Sequence, residues 1–305
     1  MLSVTFLGTG AACPTLDRNV AALAVQREGE TLLFDCGEGT QRQMMRYGVS
    51  FGLAEVFFSH WHADHFLGIT GLLRTLGLLD RTAPMTLYGP RGAERILSQA
   101  VTLGFEKPKF KVDIVELKAG EVVKRDGYDL HVVAADHRSD TVGYALVEHI
   151  RLGRFDPDHA RALGIPEGPL WGKIHKGETV TLADGRRVAP EELVGKPRPG
   201  RRVVYSGDTR PCASILEAAR GADLLVHEAT FGEEERDRAR ETGHSTAREA
   251  ATVARDAKAL RLALTHLSAR YSREAPELLA EAQAVFPETV VARDGLKLEV
   301  PFREE

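Results

Sequence analysis

The stretch from Ser59 to His65 constrains the fold and the chemistry of this chain more than any other. It places His60, His62, Asp64 and His65 within six residues. The apolar run at 55–59 predicts a short buried strand, and the apolar spacing from 66 to 79 predicts a helix. The strand-to-helix turn between them therefore carries four side chains that can bind a metal ion.

Backbone geometry sorts these four side chains into two pairs. Alternate residues of an extended segment share a face, so His60 and His62 can point at one ion. Asp64 and His65 then lie at the start of the helix and turn toward a neighbouring position. Imidazole and carboxylate ligands suit zinc or a similar divalent ion. The alternative is a polar loop with solvated histidines, but the density of ligand-type residues favours a metal site.

Further ligand-type residues follow predicted strands elsewhere in the chain, at the edge where α/β proteins gather functional groups. Asp208 and His266 come directly after apolar runs, and His137 lies in a turn between two predicted strands. One tetrahedral ion uses three or four ligands, so a larger set predicts two ions that share a bridging carboxylate. Asp208 is the natural bridge because it comes from a separate strand. The complete predicted set is His60, His62, Asp64, His65, His137, Asp208 and His266.

Two residues outside that set suggest acid–base chemistry. His244 follows a glycine at a predicted helix start, and Glu228 ends an apolar strand and could be its partner. An acid–base role for His244 is favoured over helix capping or packing. His227 is expected either to support the site through a hydrogen bond or to pack beside it. Four other histidines are expected on the surface: His131, His149, His159 and His175.

The order of predicted elements indicates one α/β domain over residues 1–305, with sheets packed on each other and helices outside. Residues at about 148–180 break this rhythm and predict an inserted, flexible arm. Within the arm, residues 163–172 are rich in proline and glycine, which predicts irregular structure with Leu170 and Trp171 exposed.

Composition excludes several classes of protein. The formal net charge is −4, which does not favour a protein that binds nucleic acid through its overall charge. No apolar run approaches the ~20 residues needed to cross a bilayer, so no membrane association is expected. The glycine-rich turn at 7–12 lacks the dinucleotide fingerprint, so no nucleotide cofactor is expected. Three scattered cysteines predict neither disulfides nor a cysteine zinc site and favour the reducing cytoplasm.

The pattern His60-X-His62-X-Asp64-His65, followed by His137, Asp208 and His266, resembles the metallo-β-lactamase superfamily and its two-zinc hydrolases. The resemblance covers nearly the whole chain. It implies an αβ/βα four-layer sandwich with the metal site at one edge, between two sheets.

Within that superfamily the chain resembles the ribonuclease Z (tRNase Z) family in its short bacterial form. Residues 227–230 match the family's His-Glu-Ala-Thr motif, and 244–246 match its His-Ser-Thr motif. The loop at 14–19 resembles the family's Pro-X-Lys-X-Arg-Asn loop, although Leu16 stands where that loop often has lysine. The arm resembles the family's Gly-Pro exosite, which grips the tRNA elbow. These two segments give the predicted substrate contacts, Arg18, Asn19, Gly164, Pro166, Gly168 and Pro169.

The resemblance implies a zinc-dependent endoribonuclease that removes the 3′ trailer from tRNA precursors. It implies two Zn²⁺ per subunit, one held by His60, His62, His137 and Asp208 and the other by Asp64, His65, His266 and Asp208. Asp64 would accept a proton, and His244 would assist the leaving group. A homodimer is implied, in which the arm of one subunit presents tRNA to the site of the other.

Two other readings remain open at this stage. A hydrolase of small molecules, acting as a phosphodiesterase, thioesterase or lactonase, could use the same fold. A non-enzymatic RNA-binding protein could have kept the fold, although the complete ligand set argues against that reading.

Overall fold

The structure is a computed structural model and describes residues 1–104, 107–271 and 274–303. Its strands, in chain order, are β1 (Leu2–Gly8), β2 (Gly10–Ala11), β3 (Ala22–Arg27), β4 (Glu30–Phe34), β5 (Glu55–Phe57), β6 (Met85–Gly89), β7 (Val112–Glu116), β8 (Val122–Arg125), β9 (Tyr128–Ala134), β10 (Val142–Glu148), β11 (Val180–Thr181), β12 (Arg187–Val188), β13 (Arg202–Tyr205), β14 (Leu224–Glu228), β15 (Leu262–Thr265), β16 (Leu267–Ser268), β17 (Thr289–Val291) and β18 (Lys297–Glu299).

The α-helices are α1 (Thr40–Tyr47), α2 (Ala63–Phe66), α3 (Gly68–Leu78), α4 (Ala93–Thr102), α5 (Pro157–Ala162), α6 (Pro169–His175), α7 (Pro190–Leu193), α8 (Ala213–Ala218), α9 (Arg236–Thr242), α10 (Ala247–Asp256) and α11 (Pro276–Gln283). A short 3₁₀ turn at Glu233–Glu235 precedes α9.

The chain divides into two compact units. The first comprises Met1–Arg125, Asp129–Val147 and Arg201–Glu305, and the second comprises Asp126–Tyr128 and Glu148–Gly200. The sequence placed the end of the inserted arm near residue 180, whereas the second unit continues to Gly200.

Two seven-stranded sheets form the centre of the first unit. Their strand orders are β18-β1-β3-β4-β5-β6-β7 and β17-β15-β14-β13-β10-β9-β8. Side chains alternate between the two faces of each strand. Phe34 of β4 and Phe57 of β5 therefore face the other sheet, where their ring centroids lie 5.4 and 5.6 Å from that of Tyr144. Leu33 and Val56 point the opposite way and pack in an outer core with α1, α3 and α4.

The outer face of the second sheet is covered in the same manner. Ala250, Ala251 and Ala254 of α10 are buried against Leu225 of β14 and Leu262 of β15, in a cluster that also includes residues of α8 and α11. These small side chains allow the helix to approach the sheet closely. Helices thus flank two facing sheets, and the predicted αβ/βα four-layer sandwich is confirmed.

Parallel strands bring the functional side chains to one edge. Strands β4, β5 and β6 run parallel in the first sheet, and β13, β14 and β15 run parallel in the second. The carboxyl ends of parallel neighbours meet at the same edge. Asp35 and Ser59 follow β4 and β5, while Asp208, Glu228 and His266 follow or end β13, β14 and β15.

The helix predicted at 66–79 is confirmed as α3 (Gly68–Leu78), but its predicted start is wrong, because Asp64 and His65 belong to the separate short helix α2, which ends at Phe66. The backbone of Gly68 packs closely against the loop after β4, and a β-carbon on Gly68 would lie 1.9 Å from the carbonyl oxygen of Gly37. The Gly68 amide donates to the Cys36 carbonyl at 2.8 Å. This close approach fixes the short helix α2, which carries Asp64 and His65.

The predicted irregular segment at 163–172 is also wrong in part, because α6 begins at Pro169. Gly168 adopts φ 139°, and Pro169 takes the first helical turn, where its missing N–H costs nothing. Composition alone suggests a loop here, but the proline starts a helix.

Leu170 and Trp171 are half-buried and not exposed as predicted, because the second unit has its own small core. The Trp171 ring lies 5.2 Å from that of Phe155, and its Nε1 donates to the Ile165 carbonyl at 3.2 Å. Ile165, with Ile174 and Leu193, is buried at the centre of this core.

Candidate metal centre

The first group of candidate ligands comprises His60, His62, His137 and Asp208, whose ligand atoms all lie within 4.8 Å of one another. His62 Nδ1 is 2.9 Å from His60 Nε2 and 3.4 Å from His137 Nε2. Asp208 Oδ2 lies 3.5 Å from His60 Nε2. Three elements, the β5–α2 turn, the β9–β10 turn and the end of β13, therefore deliver atoms to one point.

The second group comprises Asp64, His65 and His266, again within 4.8 Å. The Nε2 atoms of His65 and His266 are 3.2 Å apart, and Asp64 Oδ2 is 3.3 Å from His266 Nε2. Asp208 Oδ2 is 3.4 Å from His65 Nε2 and so lies between the two groups. The sequence prediction placed these seven side chains together, and the structure brings all of them to the edge between the sheets.

Asp35 determines which nitrogen of two histidines faces inward. His65 Nδ1 lies 2.8 Å from Asp35 Oδ2 and must donate to it, since a carboxylate only accepts. Ser59 Oγ also donates to Asp35 Oδ2, at 2.8 Å, so its oxygen accepts from His60 Nδ1 at 3.0 Å. The Nε2 atoms of His60 and His65 therefore present lone pairs to the centre, as metal-binding imidazoles do.

Two further histidine ligands, His137 and His266, are oriented in the same way. His137 Nδ1 donates to the Gly243 carbonyl at 2.7 Å. The Thr230 hydroxyl donates to Glu228 Oε2 at 2.9 Å, so it accepts from His266 Nδ1 at 3.0 Å. In their neutral form these four imidazoles thus turn an unprotonated Nε2 toward each other and toward a carboxylate.

This arrangement fits bound cations. Converging lone pairs repel each other unless a positive charge lies between them, and Asp208 Oδ1 is buried without a hydrogen bond from any residue in the described ranges. Burial and the neighbouring His65 hold the pKa of His60 well below its ordinary value. Burial opposes ionisation of Asp208, but His266, His65 and His60 keep its pKa well below the usual range. Both groups are therefore in the form that binds a metal.

His65 lies between two carboxylates. Its burial lowers its pKa, but Asp208 and Asp35 outweigh burial and raise the pKa well above the ordinary value. A cation at Nε2 would replace the extra proton, because metal binding releases protons from ligands.

His244 lies beside both groups with a carboxylate behind it. Its Nδ1 is 2.8 Å from Glu228 Oε1, which leaves Nε2 as the nitrogen that can face a substrate. Its ring stacks on that of His266, with centroids 5.4 Å apart. Burial lowers the pKa of His244, but Glu228 outweighs it and raises the pKa to about 9. The predicted pairing of His244 with Glu228 is present in the structure.

Sequence reasoning missed Asp35 as a functional residue. Its side chain also accepts a hydrogen bond from the Tyr205 hydroxyl at 2.7 Å, and it is fully buried. Asp35 ends an apolar strand as Asp208 does, and that signal could have identified it. His227 is buried and its Nδ1 lies 2.7 Å from the carbonyl oxygen of Glu228, so it supports that residue's backbone.

The loop at 14–19 does not present its arginine as predicted. Arg18 is 2% exposed, and its guanidinium donates to Thr9 Oγ1 and to the Ala292 carbonyl, both at 2.7 Å. Arg18 therefore anchors the loop from the protein interior, because a buried guanidinium must make its hydrogen bonds within the protein. Asn19 is half-buried and donates to the Glu38 carbonyl at 2.9 Å. Leu16 is fully exposed at the tip.

The predicted contacts of the arm lie on the surface of the second unit. Gly164, Pro166, Gly168 and Pro169 are all exposed there. Their part in substrate binding stays a prediction.

Fold and site together define a metal-dependent hydrolase with the metallo-β-lactamase fold. The profile described as "Beta-lactamase superfamily domain" matches residues 169–267, and the one described as "Anti-Pycsar protein Apyc1" matches residues 2–152. In the described ranges, none of the helices combines the length and apolarity needed to cross a membrane.

Relatives that match over their full length identify the family within this class of hydrolases. The chain is 58% identical over 306 residues to Ribonuclease Z of Gemmatimonas aurantiaca, covering 100% of this chain and 98% of the relative. It is 58% identical to Ribonuclease Z of Myxococcus xanthus over 305 residues, covering 100% and 99%. The crystal structure of human tRNase Z, short form, is similar with a TM-score of 0.70 and 27% identity, covering 98% of this chain and 100% of that chain. The chain belongs to the ribonuclease Z family.

Proposed function

We propose that this protein is an endoribonuclease that removes the 3′ trailer from tRNA precursors. It hydrolyses the phosphodiester near the discriminator base and leaves a 3′-hydroxyl on the tRNA. The observation that carries the proposal is the His244–Glu228 pair beside the two ligand groups, with His244 Nδ1 3.9 Å from Asp208 Oδ2. Hydrolysis of an RNA phosphodiester needs both a charged centre for the phosphate and a proton for the leaving oxygen.

We propose two zinc ions per subunit. One would be held by His60, His62, His137 and Asp208, and the other by Asp64, His65, His266 and Asp208. When bound, such ions activate a water and neutralise charge on the phosphate. The imidazole and carboxylate ligands, oriented by outward hydrogen bonds, support zinc.

Asp64 would accept the proton of the attacking water. Burial raises the pKa of Asp64, but the neighbouring His266 and His65 outweigh burial and lower it. The carboxylate is therefore ionised at neutral pH, which is the form that accepts a proton. Its place in the short helix α2 fixes it against His266, 3.3 Å away.

His244 would deliver the proton that the leaving 3′-oxygen needs. Glu228 fixes the ring through Nδ1 and favours the protonated form, so that Nε2 carries the hydrogen to be donated. Glu228 is itself held by the Thr209 amide at 3.0 Å and the Thr230 amide at 3.1 Å. This support makes the proton donor rigid, which general acid catalysis requires.

Recognition of tRNA would depend on the second unit. Its exposed residues Gly164, Pro166, Gly168 and Pro169 would follow the shape and backbone of the tRNA elbow, since structured RNA is read largely by shape. By resemblance to its family the protein would act as a homodimer in the cytoplasm, with each second unit serving the site of the other subunit. Sedimentation of the purified protein at twice the chain mass would support the dimer, and sedimentation at the chain mass would oppose it.

The role of His244 can be tested with two substrates whose leaving groups differ. His244→Ala should slow cleavage of a 3′-extended tRNA precursor by about 100- to 10,000-fold, the usual contribution of a general acid. It should slow hydrolysis of bis-p-nitrophenyl phosphate far less, because p-nitrophenolate leaves without a proton. Rates are measured at saturating substrate, with His131→Ala as a control on a half-buried histidine of β9 in the first unit. Equal losses on both substrates would contradict the proton-donor role.

A further inference from the structure

Arg210 connects the loop that carries Asp208 to the loop that carries His244. Its Nη1 donates to the carbonyl oxygen of His244 and to Glu249 Oε2, the latter at 2.7 Å. Its Nη2 donates to Glu249 Oε1 at 2.5 Å. The two side chains are only 17% and 15% exposed, so this pair is largely shielded from water. A two-pronged, shielded pair of this kind has a fixed geometry, unlike a surface ion pair.

The backbone beside Arg210 is fixed on the other side by the metal-ligand turn. The Arg210 amide donates to the Asp136 carbonyl at 2.7 Å, next to the ligand His137. The Asp136 amide donates back to Thr209 Oγ1 at 2.9 Å. Ser245 Oγ donates to the Thr209 carbonyl at 2.6 Å. The backbone of Arg210 therefore belongs to a segment that is hydrogen-bonded to the ligand-bearing turn and cannot move independently of it.

Glu249 is fixed by the start of helix α10. Its amide donates to Thr246 Oγ1 at 3.1 Å, and its Oε2 accepts from the Thr246 amide at 3.0 Å. These reciprocal bonds form a capping box. The same carboxylate thus caps a ten-residue helix and holds the Arg210 guanidinium.

His244 needs such support because of where it lies in the chain. It follows Gly243, which has φ 79° at the end of α9, and it precedes the first turn of α10. Glu228 holds its ring, but the hydrogen bond from Arg210 holds its peptide. A displacement of about 1 Å in a reacting group can lower a rate about 100-fold.

We propose that the Arg210–Glu249 pair is a positioning brace that holds His244 at the distance from the ligand groups at which it can protonate the leaving oxygen. The inference rests on the proposed function, because it takes His244 as the proton donor. Arg210 acts through the His244 carbonyl and is a positioning residue. The Arg210 guanidinium donates to an amide carbonyl and to a carboxylate at the same time. The single ammonium group of a lysine cannot reproduce this forked set of donors.

Three variants test the brace: Arg210→Gln, Arg210→Lys and Glu249→Gln. Arg210→Gln should lower kcat for a 3′-extended tRNA precursor about 100-fold with KM nearly unchanged, while hydrolysis of bis-p-nitrophenyl phosphate falls no more than about threefold. Arg210→Lys should not restore precursor cleavage. Glu249→Gln keeps a capping box, for which glutamine also serves, and should still lose about tenfold on the precursor. The double variant Arg210→Gln/Glu249→Gln should be no slower than Arg210→Gln alone, because the two residues act as one unit.

The matched control is Arg220→Gln, which breaks the exposed Arg220–Glu217 pair and should leave both activities unchanged. Bound zinc and the unfolding midpoint are measured for every variant. If Arg210→Gln lost zinc or lost both activities equally, Arg210 would support the whole centre. Either result would overturn the brace. Precursor cleavage within about threefold of wild type would also overturn it.

A second measurement separates failure of the brace from failure of the proposed function. Methyl aryl phosphodiesters with leaving groups of rising pKa are hydrolysed by wild type and by Arg210→Gln. The brace predicts that the variant's rate falls more steeply with leaving-group pKa than that of wild type. Parallel slopes overturn the brace, whether or not wild type cleaves the tRNA precursor; a wild type that leaves the precursor intact overturns the proposed function alone.

Discussion

Asp208→Ala should lower both metal binding and catalysis more than the loss of any other single ligand. The Asp208 carboxylate lies 3.5 Å from His60 Nε2 and 3.4 Å from His65 Nε2, so it belongs to both ligand groups. Removing it takes the one shared negative charge from both positions at once. Loss of a partner that merely supports a ligand typically costs 10- to 100-fold, and we expect the loss here to be at least about 1,000-fold in rate.

The measurement for Asp208→Ala combines metal content with two activities. Elemental analysis should show about two zinc ions per wild-type chain and a markedly lower content in the variant. Cleavage of the tRNA precursor and hydrolysis of bis-p-nitrophenyl phosphate should both be lost, because both need the charged centre. Asp256→Ala, at an exposed aspartate, is the matched control and should keep both. Asp208→Ala with a full zinc content and near wild-type rates would contradict the shared-ligand arrangement.

Replacing residues 149–199 with a short Gly-Ser loop should separate tRNA cleavage from phosphodiester chemistry. The β10–β13 ladder pairs Val147 directly with Arg202, so the two ends of the excised segment lie on adjacent strands and a short loop can join them. The candidate ligands all belong to the first unit, and the second unit has its own core. The excision therefore leaves the centre and both main cores in place.

We expect the excised protein to cleave the tRNA precursor at least about 100-fold less efficiently, chiefly through a higher KM. A 100-fold loss corresponds to about 2.7 kcal/mol of binding, a modest share of what many backbone contacts to a folded RNA provide. Hydrolysis of bis-p-nitrophenyl phosphate should stay within about threefold of wild type. Because the small substrate makes no contact with an elbow-binding surface, it controls for damage to the centre. Wild-type cleavage of the precursor by the excised protein would contradict a role for the second unit.

The metal centre was predictable from sequence because its signals are local. His60, His62, Asp64 and His65 lie within one strand-to-helix turn, and Asp208 and His266 mark the ends of apolar strands. Parallel strands then guarantee that these ends share an edge. Asp35 obeys the same rule but was missed, since its function appears only when Ser59 and His65, 24 and 30 residues away, fold against it.

Other features depend on packing that the sequence does not display. The loop motif suggests that Arg18 contacts RNA, yet its guanidinium is buried and donates hydrogen bonds to Thr9 and to the Ala292 carbonyl. Glycine and proline before Trp171 suggest an irregular segment, yet contact with Phe155 stabilises helix α6. In both cases a long-range partner outweighs the local signal.

The central claim is tested most directly by incubating wild type and Asp64→Ala with a 3′-extended tRNA precursor and mapping the new ends. Wild type should cut near the discriminator base and leave a 3′-hydroxyl on the tRNA, and Asp64→Ala should leave the precursor intact because it lacks the proton acceptor. A wild-type protein that ignores the precursor while hydrolysing small esters would contradict the account and leave only a metal-dependent hydrolase of small molecules.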